Sequence, residues 1–150
     1  MSTGEGLGTR LSYVLSEFDA RLAAMVDGPT VIDRIRLPDA GTSPGQHKLV
    51  SVEATTTSNS EQYRDRGLAR VVDEVRVSLA YRVRPNAQKV ARGEALDLEE
   101  QIREWLTTPS WHADWHVAYE GSTRRAGSTA AEWWLSEQTF RVTRDAELGG

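Results

Sequence analysis

Between Val71 and Arg84 the chain alternates regularly enough to define its local geometry. Odd positions read Val71, Asp73, Val75, Val77, Leu79, Tyr81 and Val83; even positions read Val72, Glu74, Arg76, Ser78, Ala80, Arg82 and Arg84. Side chains two residues apart leave a β-strand on the same face, so this pattern predicts a half-buried strand, clearest from Val75 to Arg84. One face is apolar and must be covered; the other meets water or a partner.

The flanking segments supply the cover. Leu11, Val14, Leu15, Phe18, Leu22 and Met25 recur at three- and four-residue spacing, which predicts an amphipathic helix over 9–26 with Thr9 as N-cap and Gly28-Pro29 as its stop. A second helix is expected from Pro85-Asn86 to Leu106. Its apolar stripe is Ala91, Ala95, Leu98, Ile102 and Trp105, with Leu106 beside it, and Thr107-Thr108-Pro109 ends it. Strands are expected at Thr30–Leu37, Lys48–Ala54, Trp115–Glu120 and Glu132–Thr143, with hairpins at 30–54 and 115–143 favouring antiparallel pairing. Trp133 and Leu135 share one parity in the last strand while Phe140 and Val142 share the other, so a β-bulge near Ser136–Gln138 is expected.

The resulting expectation is an α+β fold: a mixed, mainly antiparallel sheet of four to five strands, with an N-terminal helix and a second amphipathic helix packed on one face. Residues 1–8 read as a flexible tail, 9–145 as one domain and 146–150 as a C-terminal tail. Pro38–Gly45 and Gly121–Thr129 read as loops. Thr55–Arg70 is polar with little periodicity and reads as a long loop, either a hairpin tip or an arm that orders against a neighbouring subunit.

Composition narrows the function. The 150 residues carry a net charge of −4, which argues against a dedicated duplex-DNA binder. There is no cysteine, which excludes disulfides, thiolate zinc sites and cysteine nucleophiles in this sequence. No apolar run approaches the ~18 residues of a membrane span, and the first residues lack the basic and apolar regions of a signal peptide. The expectation is a soluble cytosolic protein with no membrane contact.

Motifs for chemistry are sparse. His112, Asp114 and His116 have two-residue spacing that would suit metal ligands on one strand face, but the first of them precede the expected strand, and exposed histidines explain them as well. Asp97, Glu99, Glu100 and Glu104 read as a solvated helix face with intrahelical ion pairs more readily than as an acid–base pair. No nucleophile elbow, phosphate loop or dinucleotide fingerprint is present. No catalytic residue, metal or cofactor is expected.

Arginines are more informative. Arg64, Arg66 and Arg70 fall in the polar segment, Arg76, Arg82 and Arg84 on the polar face of the long strand, and Arg124 and Arg125 near the last hairpin. Arginine pairs bidentately with carboxylates across interfaces, and Glu100 and Glu104 of the second helix are suitable partners in an adjacent copy. Five tryptophans are present; Trp105 and Trp115 fit core positions. Trp133 and Trp134 must point to opposite faces, so either both faces are covered within the chain or Trp133 meets a neighbour. The subunit-interface candidates are thus Arg64, Arg66, Arg76, Arg82, Arg84, Glu100, Glu104 and Trp133.

Taken together, "LGTRLSYVLSEFDARLAAM", "VVDEVRVSLAYRVRP", "NAQKVARGEALDLEEQIREWL", "DWHVAYEG" and "EWWLSEQTFRVTR" resemble, in element order and texture, the tail terminator (tail-completion) proteins of long-tailed bacteriophages. The resemblance covers chiefly 71–143 and involves no short signature. It implies a homohexameric ring in the virion tail or neck, assembled in the host cytoplasm. The implied partners are the tail tube protein and a head–neck connector or stopper protein, with genomic DNA passing through without specific binding. The long 55–70 segment departs from the simplest members. Two other readings stand beside it: another head–tail joining ring or contractile-tail cap, and a small-molecule-binding α+β domain whose pocket is lined by tryptophans and by His112 and His116.

Overall fold

The alternating segment is β3 (Leu68–Arg82), the middle strand of a five-stranded sheet. Across the sheet the order is β1 (Thr30–Val31), β2 (Lys48–Tyr63), β3, β5 (Trp133–Glu147) and β4 (Trp115–Ala126). The structure, a computed structural model, describes residues 11–35, 48–63, 68–82, 88–109, 111–112, 115–126 and 133–147. β2, β3, β5 and β4 are antiparallel to their neighbours, and β1 runs parallel to β2. Helices α1 (Leu11–Ala23) and α2 (Gln88–Thr107) cover one face of this sheet. The fold is therefore α+β with a mixed, mainly antiparallel sheet, as the patterning predicts.

The odd residues of β3 account for the helix-covered face. Val75, Val77, Leu79 and Tyr81 form one core with Val14, Phe18 and Leu22 of α1, Ala95, Leu98, Ile102 and Leu106 of α2, and Val50, Phe140 and Val142 of the neighbouring strands. Leu106 is fully buried, and Trp105 is half-buried at the junction of the helices. The stripe of α2 is thus rotated by about one residue from the sequence expectation. Arg21 explains the shift: its guanidinium donates to the Trp105 carbonyl at 3.1 and 2.9 Å, lies 3.5 Å from the Trp105 ring centroid, and its own carbonyl accepts from the indole N–H. The carbonyls of Arg103, Glu104, Trp105 and Leu106 are all taken by side chains, those of Thr107, Thr108, Arg21 and Trp111. A helix leaves its last carbonyls without intrahelical donors, so these contacts both end α2 and tie it to α1.

Several expected boundaries move. The segment 55–70 is largely strand: Thr55 to Ser60 pair with Glu74 to Arg70, and Tyr63 with Leu68, leaving only 64–67 outside the described residues. The segment lacks an apolar/polar alternation, yet its threonines favour extended backbone. β4 likewise continues through Gly121–Ala126 instead of turning there, and β5 runs to Glu147, two residues into the expected tail. β1 is short and parallel, where a hairpin was expected, because the 32–47 connection has the length of the dozen or more residues that a parallel return requires.

The expected bulge in β5 is absent. β3 and β5 keep one register from Leu68↔Glu147 to Arg82↔Trp133. The parity change instead reflects two cores on opposite faces. Trp133 packs with Leu49 and Ala80 beneath Ile32 and Ile35, on the face away from the helices, while Phe140 and Val142 face the helices. The register shift lies in β4, between Tyr119 and Gly121.

α1 stops at a tight turn. Gly28 N–H reaches the Met25 carbonyl at 3.2 Å, and Asp27 adopts a left-handed φ of 55°. A Cβ on Gly28 would sit 2.5 Å from Met25 Cβ, so the turn requires glycine. At the far end of the helix-covered face, Asp73 is fully buried and binds Arg144 Nε at 2.6 Å and the Thr56 hydroxyl at 2.8 Å. Removing one member of a buried ion pair leaves the other charge unmatched in a poor solvent. Asp73→Ala is therefore expected to cost about 3–5 kcal/mol in urea unfolding, and Asp73→Leu combined with Arg144→Met distinctly less.

Candidate assembly surfaces

Among the described residues, the face of the sheet away from the helices is covered at one end only, by Ile32 and Ile35. Elsewhere it presents the even residues of β3 and the odd residues of β5. Its charges are matched within the chain by cross-strand register: Glu53 lies opposite Arg76, Glu74 opposite Arg141, and Arg70 opposite Asp145. Arg76 Nε is 3.4 Å from Glu74, and Arg70 Nε is 3.7 Å from Asp145. These pairs are solvent-exposed and individually worth little, about 0–1 kcal/mol. They do mean that Arg70 and Arg76 have carboxylates of their own chain nearby.

The interface candidates divide between the two sides of the sheet. Arg76 and Arg82 are exposed on the open face. Glu100 and Glu104 are exposed on α2, on the other side, and Glu100 pairs with Arg103 at 3.6 Å. Trp133 is 8% exposed and covered by its own chain, so its expected role against a neighbour is corrected: the second small core takes it. Arg64, Arg66 and Arg84 lie outside the described residues.

Sequence reasoning missed Glu99. It was grouped with the solvated carboxylates, yet its side chain is 7% exposed. Arg124 donates to its Oε1 at 3.2 and 3.0 Å, and the Trp134 indole N–H donates to its Oε2. Gln138 donates to its backbone carbonyl at 3.0 Å. Glu99 thus fastens α2 to both β4 and β5, and its hydrogen bonds hold the Arg124 guanidinium above its ordinary pKa. Spacing puts Glu99 beside the Ala95, Leu98, Ile102 and Leu106 stripe, but its burial rests on the partners that β4 and β5 supply.

His112 and His116 both border a cleft of about 120 Å³ beside Trp111 and Trp115. His112 stacks on Trp115 at 3.7 Å between centroids, with Nε2 3.4 Å from Glu17, while its buried Nδ1 has no hydrogen-bond partner. His116 is exposed. Asp114 lies outside the described residues, and no group of three metal-ligating side chains occurs among the described ones. No described helix is long and apolar enough to cross a membrane.

The chain matches no protein-family model and no curated protein.

The junction of β3 and α2 has one strongly perturbed group. The Tyr81 hydroxyl donates to Glu94 at 2.5 Å, and burial, reinforced by this carboxylate, pushes the phenol from 10.0 up to about 12. The unfolded chain releases this proton first, so the phenol's contribution is intact below pH 10 and is lost as pH rises from about 10 to about 12. Phenolate absorbance should show one tyrosine ionising near the top of that window, and Glu94→Gln should bring it part of the way down.

Proposed function

We propose that this chain is a tail terminator, a subunit of a homohexameric ring that caps a tail tube and joins it to the head–neck connector. The observation that carries the reading is the architecture. An N-terminal amphipathic helix, a mainly antiparallel sheet and a second helix across the same face occur in the order on which the resemblance rests. The action would be steric and interfacial: one side of the ring matches the last tube ring, and the other side does not template another. Heterologous contacts around a rotation axis close such a ring. The net charge of −4 suits a conduit that repels DNA phosphates.

Among the described residues, the pocket reading has less support. The cleft holding both histidines measures about 120 Å³, and the polar cleft between α2 and β4 about 280 Å³. Small-molecule sites typically occupy about 300–1,000 Å³. The larger cleft is also bordered by Glu99 and Arg124, which already satisfy one another.

Light scattering with negative-stain imaging tests the proposal. Rings near six times 16.7 kDa that bind a tail-tube protein are expected. Protein that neither forms rings nor binds tubes overturns it. Charge reversal of Arg82 and Arg84 together tests arginine–carboxylate pairing: a lower ring fraction from a variant whose circular dichroism shows a folded monomer supports it. Unchanged assembly of that variant would remove arginine–carboxylate pairing from the account.

A further inference from the structure

Among the described residues, the outer edge of β2 is paired only at its start. Thr30 and Val31 match Leu49 and Val50, and Ile32 N–H reaches the Val50 carbonyl at 2.9 Å. From Ser51 onward no described strand lies beside it. β4 is the last strand on the other side, and no described strand lies along its outer edge. An open edge presents a row of backbone donors and acceptors that another strand can satisfy.

The two edges fit each other. β2 and β4 run in opposite directions, because β3 and β5 intervene with antiparallel pairing at every step. β4 of one copy beside β2 of the next would therefore continue the antiparallel pattern. Each edge has an unbroken stretch: Ser51–Thr56 before the shift at Thr56/Ser58, and Trp115–Tyr119 and Gly121–Ala126 on either side of the shift in β4. These stretches also lie level in the sheet. The row through Thr55 continues across Glu74 and Arg141 to Ala118, and the row through Ser51 continues across Ser78 and Glu137 to Thr123.

We propose that copies of this chain join head to tail by pairing β2 of one with β4 of the next, level and antiparallel. In naming the contact that closes a ring, the inference rests on the assembly reading above. Level pairing sets Ser51 against Thr123, Val52 against Ser122, Glu53 against Gly121, Ala54 against Tyr119, Thr55 against Ala118 and Thr56 against Val117. No like charges meet, and small Ala54 faces the Tyr119 ring, which is 36% exposed. Cross-strand pairs of this kind are the unit of sheet stabilisation. The contact is heterologous, since each copy offers one edge of each kind, so it does not give a two-fold dimer, and it forms a ring where the rotation from copy to copy closes.

The absence of cysteine makes the test direct. Directly opposed residues in an antiparallel pair have Cα atoms about 4.5–5.5 Å apart, within disulfide range. Thr55→Cys with Ala118→Cys in one chain, oxidised with copper–phenanthroline, should convert most of the protein to a covalent ladder with steps of 16.7 kDa. Either single variant alone should remain monomeric on a denaturing gel, and a mixture of the two should give only a dimer. Ala54→Cys with Tyr119→Cys provides a second pair on the opposite face should the first double variant fold poorly. A folded double variant without a ladder, or a dimer from one single variant alone, overturns the proposal. Rings that bind tube protein yet do not cross-link would reject this contact and leave the terminator reading standing. A ladder from protein that does not bind tubes would do the reverse.

Discussion

β3 decides which side of every other strand meets the helices. It is the middle strand, and its odd residues are apolar from Val75 to Tyr81. In a pleated sheet a shift of one residue in register would exchange the two faces of a strand, so the apolar row of β3 holds β2 and β5 in one alignment. Val50 on one side and Phe140 and Val142 on the other must face the same way. The helices then have one surface on which to bury Phe18, Leu22, Ile102 and Leu106, and both occupy it. The opposite surface needs cover only where Leu49, Ala80 and Trp133 are apolar, and the short segment bearing Ile32 and Ile35 supplies it.

Polar groups are buried where this layer arrangement must stop or be fastened. Asp73 interrupts the apolar row of β3 where the helical layer ends, and Arg144 and Thr56 from the two adjacent strands converge on it. The ion pair joins three strands in one register, since a slip of β2 or β5 would leave Asp73 buried without its partners. Glu99 acts similarly between layers. Its carboxylate receives Arg124 from β4 and Trp134 from β5, which aligns α2 across the strands it covers. At the other end of α2, Arg21 and Trp105 hold the two helices together by reciprocal hydrogen bonds. Specific orientation in this fold comes from a few such contacts laid over a largely aliphatic core.

The parts of this arrangement that were legible in sequence are those with strong periodicity. Val75–Tyr81, the Val14–Phe18–Leu22 stripe and the Ala95–Leu98–Ile102 stripe identify the central strand and both helices because burial imposes those spacings directly. Strand extents beyond the helical layer were not legible. Thr55–Tyr63 has no apolar repeat in its sequence to distinguish strand from loop, and pairing with β3 carries the extension. The parity change in β5 has one pattern with two physical explanations: a bulge that flips the strand, or a second core on the reverse face. Distinguishing them requires knowing that Ile32 and Ile35 cross to that face. Glu99 was hidden for a related reason, since its burial depends on where β4 and β5 place Arg124 and Trp134, which helical spacing alone does not specify.

The candidate assembly contacts use separate regions of the molecule. Arg76 and Arg82 stand on the open face, whereas Glu100 and Glu104 belong to α2 on the other side of the sheet. If copies are joined edge to edge, the sheet continues from one to the next and its two sides stay apart. A neighbour's α2 then lies on the wrong side of the continuous sheet to reach Arg76. Arginine–carboxylate contact between these groups therefore requires the open face of one copy to approach the helical layer of another, a stacking geometry distinct from strand addition. Since the open face already matches Arg76 with Glu74 and Glu53, its charges have less to gain from stacking than the outer edges of β2 and β4, along most of which no described strand lies, have from strand addition.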